Sequence, residues 1–153
     1  MLKTLAAAAI AALAALASSA AAEEELVKVR FVTDWKAQAE HGGFYQAKAK
    51  GIYEKYGLDV EIVQGGPSVN VPLLLGSGEA DFAIGSNSFI PLNMIAEGVP
   101  ATAVASIFQK DPQVLMAHPD AGVTRFEDLK PLTLFVSKEG ILTYFQWIKT
   151  EYG

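Results

Sequence analysis

The chain is predicted to fold as an α/β domain on a mainly parallel sheet, and three observations carry that prediction. Short apolar or alternating runs recur between stretches of helical period. Turn residues rich in Gly, Pro and Ser stand at each change of period, and the strand-then-helix unit occurs three times between Leu26 and Glu97. Strands joined through helices return by right-handed crossovers, so they run parallel with both faces of the sheet covered.

The first run, Leu26 to Thr33, places Val27, Val29 and Phe31 on one side and Lys28, Arg30 and Val32 on the other, a strand with one face more buried. Asp34-Trp35 ends it. From Gly43 the period becomes helical, with Tyr45, Ala49, Ile52 and Tyr56 in line and Gly57 placed as the C-terminal cap. Leu58 to Val63 alternates again. Gly65-Gly66-Pro67-Ser68 then leads into a helix over Val69 to Leu75, with Ser68 as the expected N-cap. Gly76-Ser77-Gly78 breaks that helix, Ala80 to Ile84 reads as a short buried strand, and Gly85-Ser86-Asn87-Ser88 opens a third helix over Phe89 to Glu97. Pro72 and Pro91 fall within or just after first turns, where a missing N–H costs little. Ala101 to Phe108 is the expected fourth strand.

Beyond Gln109-Lys110-Asp111-Pro112 the pattern predicts a crossing strand at Val114 to His118, a helical turn at Arg125 to Leu129, a strand at Leu132 to Val136 and a helix at Ile141 to Tyr152. The expected division is a leader at 1–22, a first α/β lobe at 23–110, and a hinge crossing with the start of a second, incomplete lobe at 111–153. On that expectation the second core is completed by residues or a partner chain not present in this sequence.

The leader is expected because Lys3 precedes the apolar run Leu5 to Leu16, too short to cross a bilayer, and small residues from Ser18 to Ala22 are followed by Glu23-Glu24-Glu25. Cleavage after Ala22 would release a periplasmic protein. With no Cys, that protein carries no lipoprotein anchor and is expected not to insert in the membrane. There are 12 Lys and Arg against 17 Asp and Glu, a formal net charge of −5, or −6 once Lys3 leaves with the leader. Such a balance argues against nucleic acid and anionic membrane as partners, although backbone donors in a cleft can still hold an anion.

Open α/β sheets bind ligands outside the carboxyl ends of their strands. Three such ends carry polar or glycine-rich turns here: Asp34-Trp35 with His41-Gly42-Gly43; Gly65-Gly66-Pro67-Ser68 with Asn70; and Gly85-Ser86-Asn87-Ser88. Each precedes a helix, so free N–H groups converge with Ser and Asn side chains that both donate and accept. Trp35 offers a flat face for stacking and Asp34 an acceptor for ring or amino N–H groups, which suits a nitrogen heterocycle. The structural alternatives are that Trp35 plugs the core edge, Asp34 caps its loop, His41 caps a helix, and the glycine turns are turns alone. His118 has no metal-ligand neighbours in sequence and is read as structural.

With those residues assembled, the chain resembles the SsuA/THI5-like (NMT1/THI5) family of periplasmic binding proteins, from about Val29 to the end. The most specific piece is Thr33-Asp34-Trp35 followed by His41-Gly42-Gly43-Phe44-Tyr45-Gln46-Ala47-Lys48-Ala49-Lys50-Gly51-Ile52-Tyr53, similar to the thiamine-precursor branch. Leu75-Gly76-Ser77-Gly78-Glu79-Ala80-Asp81-Phe82-Ala83-Ile84-Gly85 is similar to a pattern shared more widely. The resemblance implies a type II periplasmic-binding-protein-like lobe, a second lobe of similar size closing on ligand, and a hinge near Gln109 to Asp111. It implies capture of a small polar heteroaromatic solute, such as a thiamine pyrimidine precursor, for the membrane permease of an ABC transporter.

The implied ligand set is Asp34, Trp35, His41, Gly65, Gly66, Pro67, Ser68, Asn70, Ser86, Asn87, Ser88 and Phe108. Alternatives are an oxyanion receptor for sulfonate, taurine or nitrate, and a truncated remnant without function. One relative in the family is a pyrimidine synthase that consumes pyridoxal phosphate, and Ser86 stands where its cofactor lysine would lie. With the leader, that substitution implies import over synthesis, and the expectation is a binding protein, not an enzyme, with no cofactor.

Overall fold

The computed structural model describes residues 25–153; the expected leader and the expected cleavage after Ala22 lie outside the described residues. Three parallel strands, β1 (Val27–Val32), β2 (Leu58–Val63) and β3 (Phe82–Ala83), form one sheet in the order β2-β1-β3. Val27 lies opposite Leu58 and the register runs in step to Val32 opposite Val63, while Phe31 and Val32 face Phe82 and Ala83. The chain leaves β1 for a neighbour on one side and returns to the other. The carboxyl end of β1 is therefore the point where the strand order reverses, the usual place for a ligand crevice in an open α/β sheet.

Although β3 is short, it is well fastened. Asp81 N–H donates to the Arg30 carbonyl and Ile84 N–H to the Val32 carbonyl, both at 3.0 Å. The Asp81 carboxylate in turn accepts from Arg30 N–H at 2.8 Å.

The first helical stretch is two helices, α1 (Gly42–Ala49) and α2 (Ile52–Lys55), instead of one. Gly51 takes the left-handed conformation at φ 62°, which stops α1, and Gly57 at φ 74° ends α2 as the sequence predicts. Helix α3 (Val71–Gly76) is capped by Asn70, whose Oδ1 accepts from Leu73 N–H at 3.2 Å. The expected cap, Ser68, lies instead in a turn closed by Val69 N–H to the Gly66 carbonyl. Helix α4 (Phe89–Ala96) falls where its period puts it.

Both faces of the sheet are covered. Phe31 meets Phe44 of α1 with ring centroids 4.6 Å apart. Val32, which points to the opposite face, is 2% exposed, and α3 packs against β3. The core is Val32, Val60, Val71, Ala80, Ile90 and Met94.

The expected strands at Ala101–Phe108, Val114–His118 and Leu132–Val136 do not form among the described residues. A strand needs a ladder partner as well as an alternating face, and β3 offers an edge of two residues. Val104, Met116 and Phe135, which lie in those segments, are 77%, 91% and 101% exposed. The expected turn near Arg125 is a 3-10 turn at Phe126–Leu129. The last expected helix is divided into α5 (Lys138–Leu142) and α6 (Tyr144–Tyr152) by Thr143, whose φ of −123° and ψ of −109° are not helical. Phe126 stacks on Tyr152 with centroids 4.7 Å apart, tying that turn to α6.

The loops beyond β1 and β2 are joined through Thr33, which is fully buried. Its hydroxyl donates to the Trp35 carbonyl at 2.7 Å and accepts from Gly65 N–H at 3.1 Å. Ala37 N–H donates to Gln64 Oε1 at 2.8 Å, a second tie between the same loops. A Cβ on Gly65 would lie 2.0 Å from the Thr33 carbonyl oxygen, and backbone cannot swing aside as a side chain can. Gly65→Ala is therefore expected to lower stability by at least about 2 kcal/mol, measured by urea unfolding; a loss under about 0.5 kcal/mol would show that the two loops separate freely.

Candidate functional site

Two hydrogen-bonded clusters meet at the carboxyl ends of the strands. The first is built on the turn after β1. Asp34 Oδ1 and His41 Nε2 are 3.1 Å apart, with side chains 17% and 3% exposed. His41 ends the 3-10 turn Ala39–His41 and makes no capping bond, so its ring is spent on Asp34 and not on the N-terminus of α1. Its Nδ1 is buried without a partner. A neutral ring that donates from Nε2 to Asp34 keeps an acceptor lone pair at Nδ1. Trp35 is half-buried beside this pair in sequence.

The second cluster joins the turn after β3 to α5. Ser86 Oγ–H donates to Glu139 Oε2 at 2.7 Å. The Asn87 amide donates to Ser86 Oγ at 3.2 Å and to Thr143 Oγ1 at 3.1 Å, and its carbonyl oxygen accepts from Phe89 N–H at 3.0 Å. Thr143 Oγ1–H donates to the Glu139 carbonyl at 2.8 Å. Glu139 is 8% exposed, and its Oε1 has no partner.

Burial pushes the Glu139 carboxyl above the ordinary range; the Ser86 hydroxyl and Val71 N–H pull it down, and the nearby charge of Asp34 pushes it up again. Glu139 thus joins α5 to the turn after β3 through Ser86.

Of the residues expected to bind ligand, Asp34, His41, Gly65, Ser86 and Asn87 fall in these clusters. Asn70 caps α3 and, with Glu139 and Thr143, lines a cavity of about 210 Å3. Gly66 closes the turn to Val69, while Pro67 and Ser68 are exposed. Ser88 precedes α4 without capping it, because Asn87 takes that role. Phe108 is 52% exposed in the extended segment after α4, outside both clusters. A larger groove, about 680 Å3, lies beside the clusters and is lined mainly by apolar residues, among them Phe89, Met116, Phe126, Tyr144 and Trp147.

Sequence reasoning missed Thr33, Glu139 and Thr143. Glu139 reads locally as an acidic residue in the first turn of a helix capped by Ser137, and nothing in that pattern announces Ser86, 53 positions away. The expectation that α3 offers free N–H groups to a ligand is also revised. Leu73 N–H bonds the Asn70 side chain.

Among the described residues no group of three or more His, Cys, Asp and Glu is placed to hold a metal ion, and no helix is long and apolar enough to cross a membrane. His118 is exposed, 3.3 Å from Asp120.

A parallel sheet in this order, with helices on both faces and polar turns at the strand ends, defines an α/β chain of the periplasmic-binding-protein-like class. The NMT1/THI5 like family model matches residues 38–143, and the chain belongs to that family. A 4-amino-5-hydroxymethyl-2-methylpyrimidine phosphate synthase of Schizosaccharomyces pombe is 31% identical over 104 residues, covering 67% of this chain and 30% of its own length. One from Saccharomyces cerevisiae is 30% identical over 105 residues, with 67% and 30% covered. A Haemophilus influenzae protein named for thiamine biosynthesis is 27% identical over 105 residues, with 67% and 32% covered.

The chain thus spans about a third of the length of the curated relatives it matches. The synthase names overturn the expectation that the chain is not an enzyme. That expectation leaned on Ser86 in place of a lysine, and one side chain at one turn is too narrow a ground for excluding catalysis in a family that includes enzymes.

A raised carboxyl means that the native state holds the Glu139 proton more tightly than the unfolded chain does. Its ionisation costs stability as pH climbs past the ordinary carboxylate value and through the raised one. Glu139→Gln is expected to melt above the wild type at pH 8, with the difference narrowing toward pH 4. Thermal melts across that range check it, and a lower melting point at pH 8 would show that the bonds from Ser86 and Val71 outweigh burial.

Proposed function

We propose that the chain is the recognition lobe of an exported solute-binding protein, which captures a small aminopyrimidine-like heterocycle in the periplasm and presents it to the permease of an ABC transporter. The observation that carries this reading is the bonded Asp34–His41 pair, next to Trp35 in sequence, at the strand-order reversal. It combines an acceptor for amino N–H groups, a ring nitrogen without a partner and an aromatic face, the three features a flat nitrogen heterocycle uses. The leader-like Lys3 to Ala22 supports export.

A second reading is favoured by the relatives: a part in pyrimidine synthesis, in which the same site would hold an aminopyrimidine as product. Formation of an aminopyrimidine by the full-length protein would establish this reading, and binding without turnover would leave receptor capture as the activity.

Calorimetric titration with 4-amino-5-hydroxymethyl-2-methylpyrimidine and with methanesulfonate tests the ligand class. Heat from the sulfonate alone would overturn the proposal. Trp35→Ala is expected to cost on the order of 1–3 kcal/mol of affinity for the pyrimidine, by analogy with bases stacked on aromatic side chains. Unchanged affinity with a lowered melting point would return Trp35 to a purely structural role.

A further inference from the structure

Glu139 is a carboxyl side chain only 8% exposed, and it is satisfied on one oxygen. Oε1 has no partner, and neither does Nδ1 of the equally buried His41. Asp34 bonds His41 directly, and its charge is the least of the influences on the Glu139 carboxyl. A folded chain does not ordinarily leave one buried polar atom unpaired, still less two.

What Glu139 Oε1 lacks is a donor. Asp34 and Glu139 accept when ionised, and Nδ1 of His41 accepts when Nε2 donates to Asp34. Glu139 also lines the cavity of about 210 Å3 with Asn70 and Thr143, several times the roughly 30 Å3 share of one water. The charged side chains around that cavity are Glu139, Glu97 and Lys138, two acidic and one basic.

The geometry points to Glu139 as the specificity-determining residue of the site, selecting a ligand edge that carries adjacent N–H donors and rejecting anions. This inference rests on the aminopyrimidine reading of the strand-end turns and names a group in the Ser86 cluster that decides ligand class. An amino group next to a protonated ring nitrogen presents two parallel N–H bonds, which match the two oxygens of a carboxylate. A sulfonate or nitrate in that cavity would set its oxygens against Glu139, with a second acid, Glu97, on the same wall.

The test is titration of the full-length protein, wild type and Glu139→Gln, with three probes: 4-amino-5-hydroxymethyl-2-methylpyrimidine, its N,N-dimethylamino analogue and methanesulfonate. Gln keeps the side-chain length and an oxygen for the Ser86 hydroxyl, but it cannot receive a paired N–H edge as a carboxylate does. The expected result is a tenfold or greater loss for the aminopyrimidine in Glu139→Gln and a narrowed preference over methanesulfonate. A purely structural Glu139 would weaken all probes alike and leave their ratio unchanged, which overturns the inference while the aminopyrimidine reading stands. Failure of the wild type to bind the aminopyrimidine overturns both. Should Glu139→Gln not fold, the wild type decides with the analogue: equal affinity for the dimethylamino and amino compounds overturns the inference, and a tenfold loss supports it.

Discussion

The hydroxyl of Thr33 holds the site in place. It is buried at the end of the central strand, where it gives its proton to the Trp35 carbonyl and receives the Gly65 amide. A buried hydroxyl with both capacities used fixes two loops with one atom, because moving either loop leaves a polar group stranded away from water. The Asp34 carboxylate lies between these bonded positions, so its approach to His41 follows from the backbone path that Thr33 imposes. Gly65 follows from the same constraint, since the loop passes so near the Thr33 carbonyl that no Cβ fits.

The part of the fold legible in the sequence is the part where local pattern and long-range pairing agree. In β1 and β2 the alternation of apolar and polar residues matches a face that a helix covers, and the register runs in step over six residues. The helices after them start and stop at Gly, Pro and Asn, whose backbone preferences act locally. Beyond Ala101 the runs still alternate, but alternation shows only that a segment could form a half-buried strand. Whether it does depends on a neighbouring edge with free N–H and C=O groups, which periodicity does not encode. Val104, Met116 and Phe135 are apolar, regularly spaced and exposed for that reason.

The candidate site was half legible on similar grounds. Asp34, His41 and Ser86 stood out because they occupy strand ends, a topological rule that can be applied once the strands are placed. Pro67, Ser68 and Ser88 stood beside them and looked equivalent, yet the clusters pass them by in favour of Gly65, Asn70 and Asn87. Choosing between neighbours one residue apart requires the direction of each side chain, which turn composition leaves open. Glu139 was invisible for a different reason. Its local role as a first-turn acid explains it fully, so the sequence offers no residue left over to question.

The placement of Glu139 also joins stability to recognition. No residue from 101 to 136 is fully buried, so that stretch adds little to the apolar core, whose members all lie between Val32 and Met94. Helix α5 is held to the strand ends by polar bonds: Ser86 to Glu139 and Asn87 to Thr143. Polar bonds of this kind contribute less than apolar burial, and they open locally at lower cost than a packed core does. The burial of Glu139 opposes its ionisation, while the two donors it meets favour it. A ligand that brought donors to Oε1 would leave the Ser86 bond on Oε2 intact and shift that balance toward the charged form. The same carboxylate would then bind α5 more firmly, so ligand capture and docking of α5 would reinforce each other through one side chain.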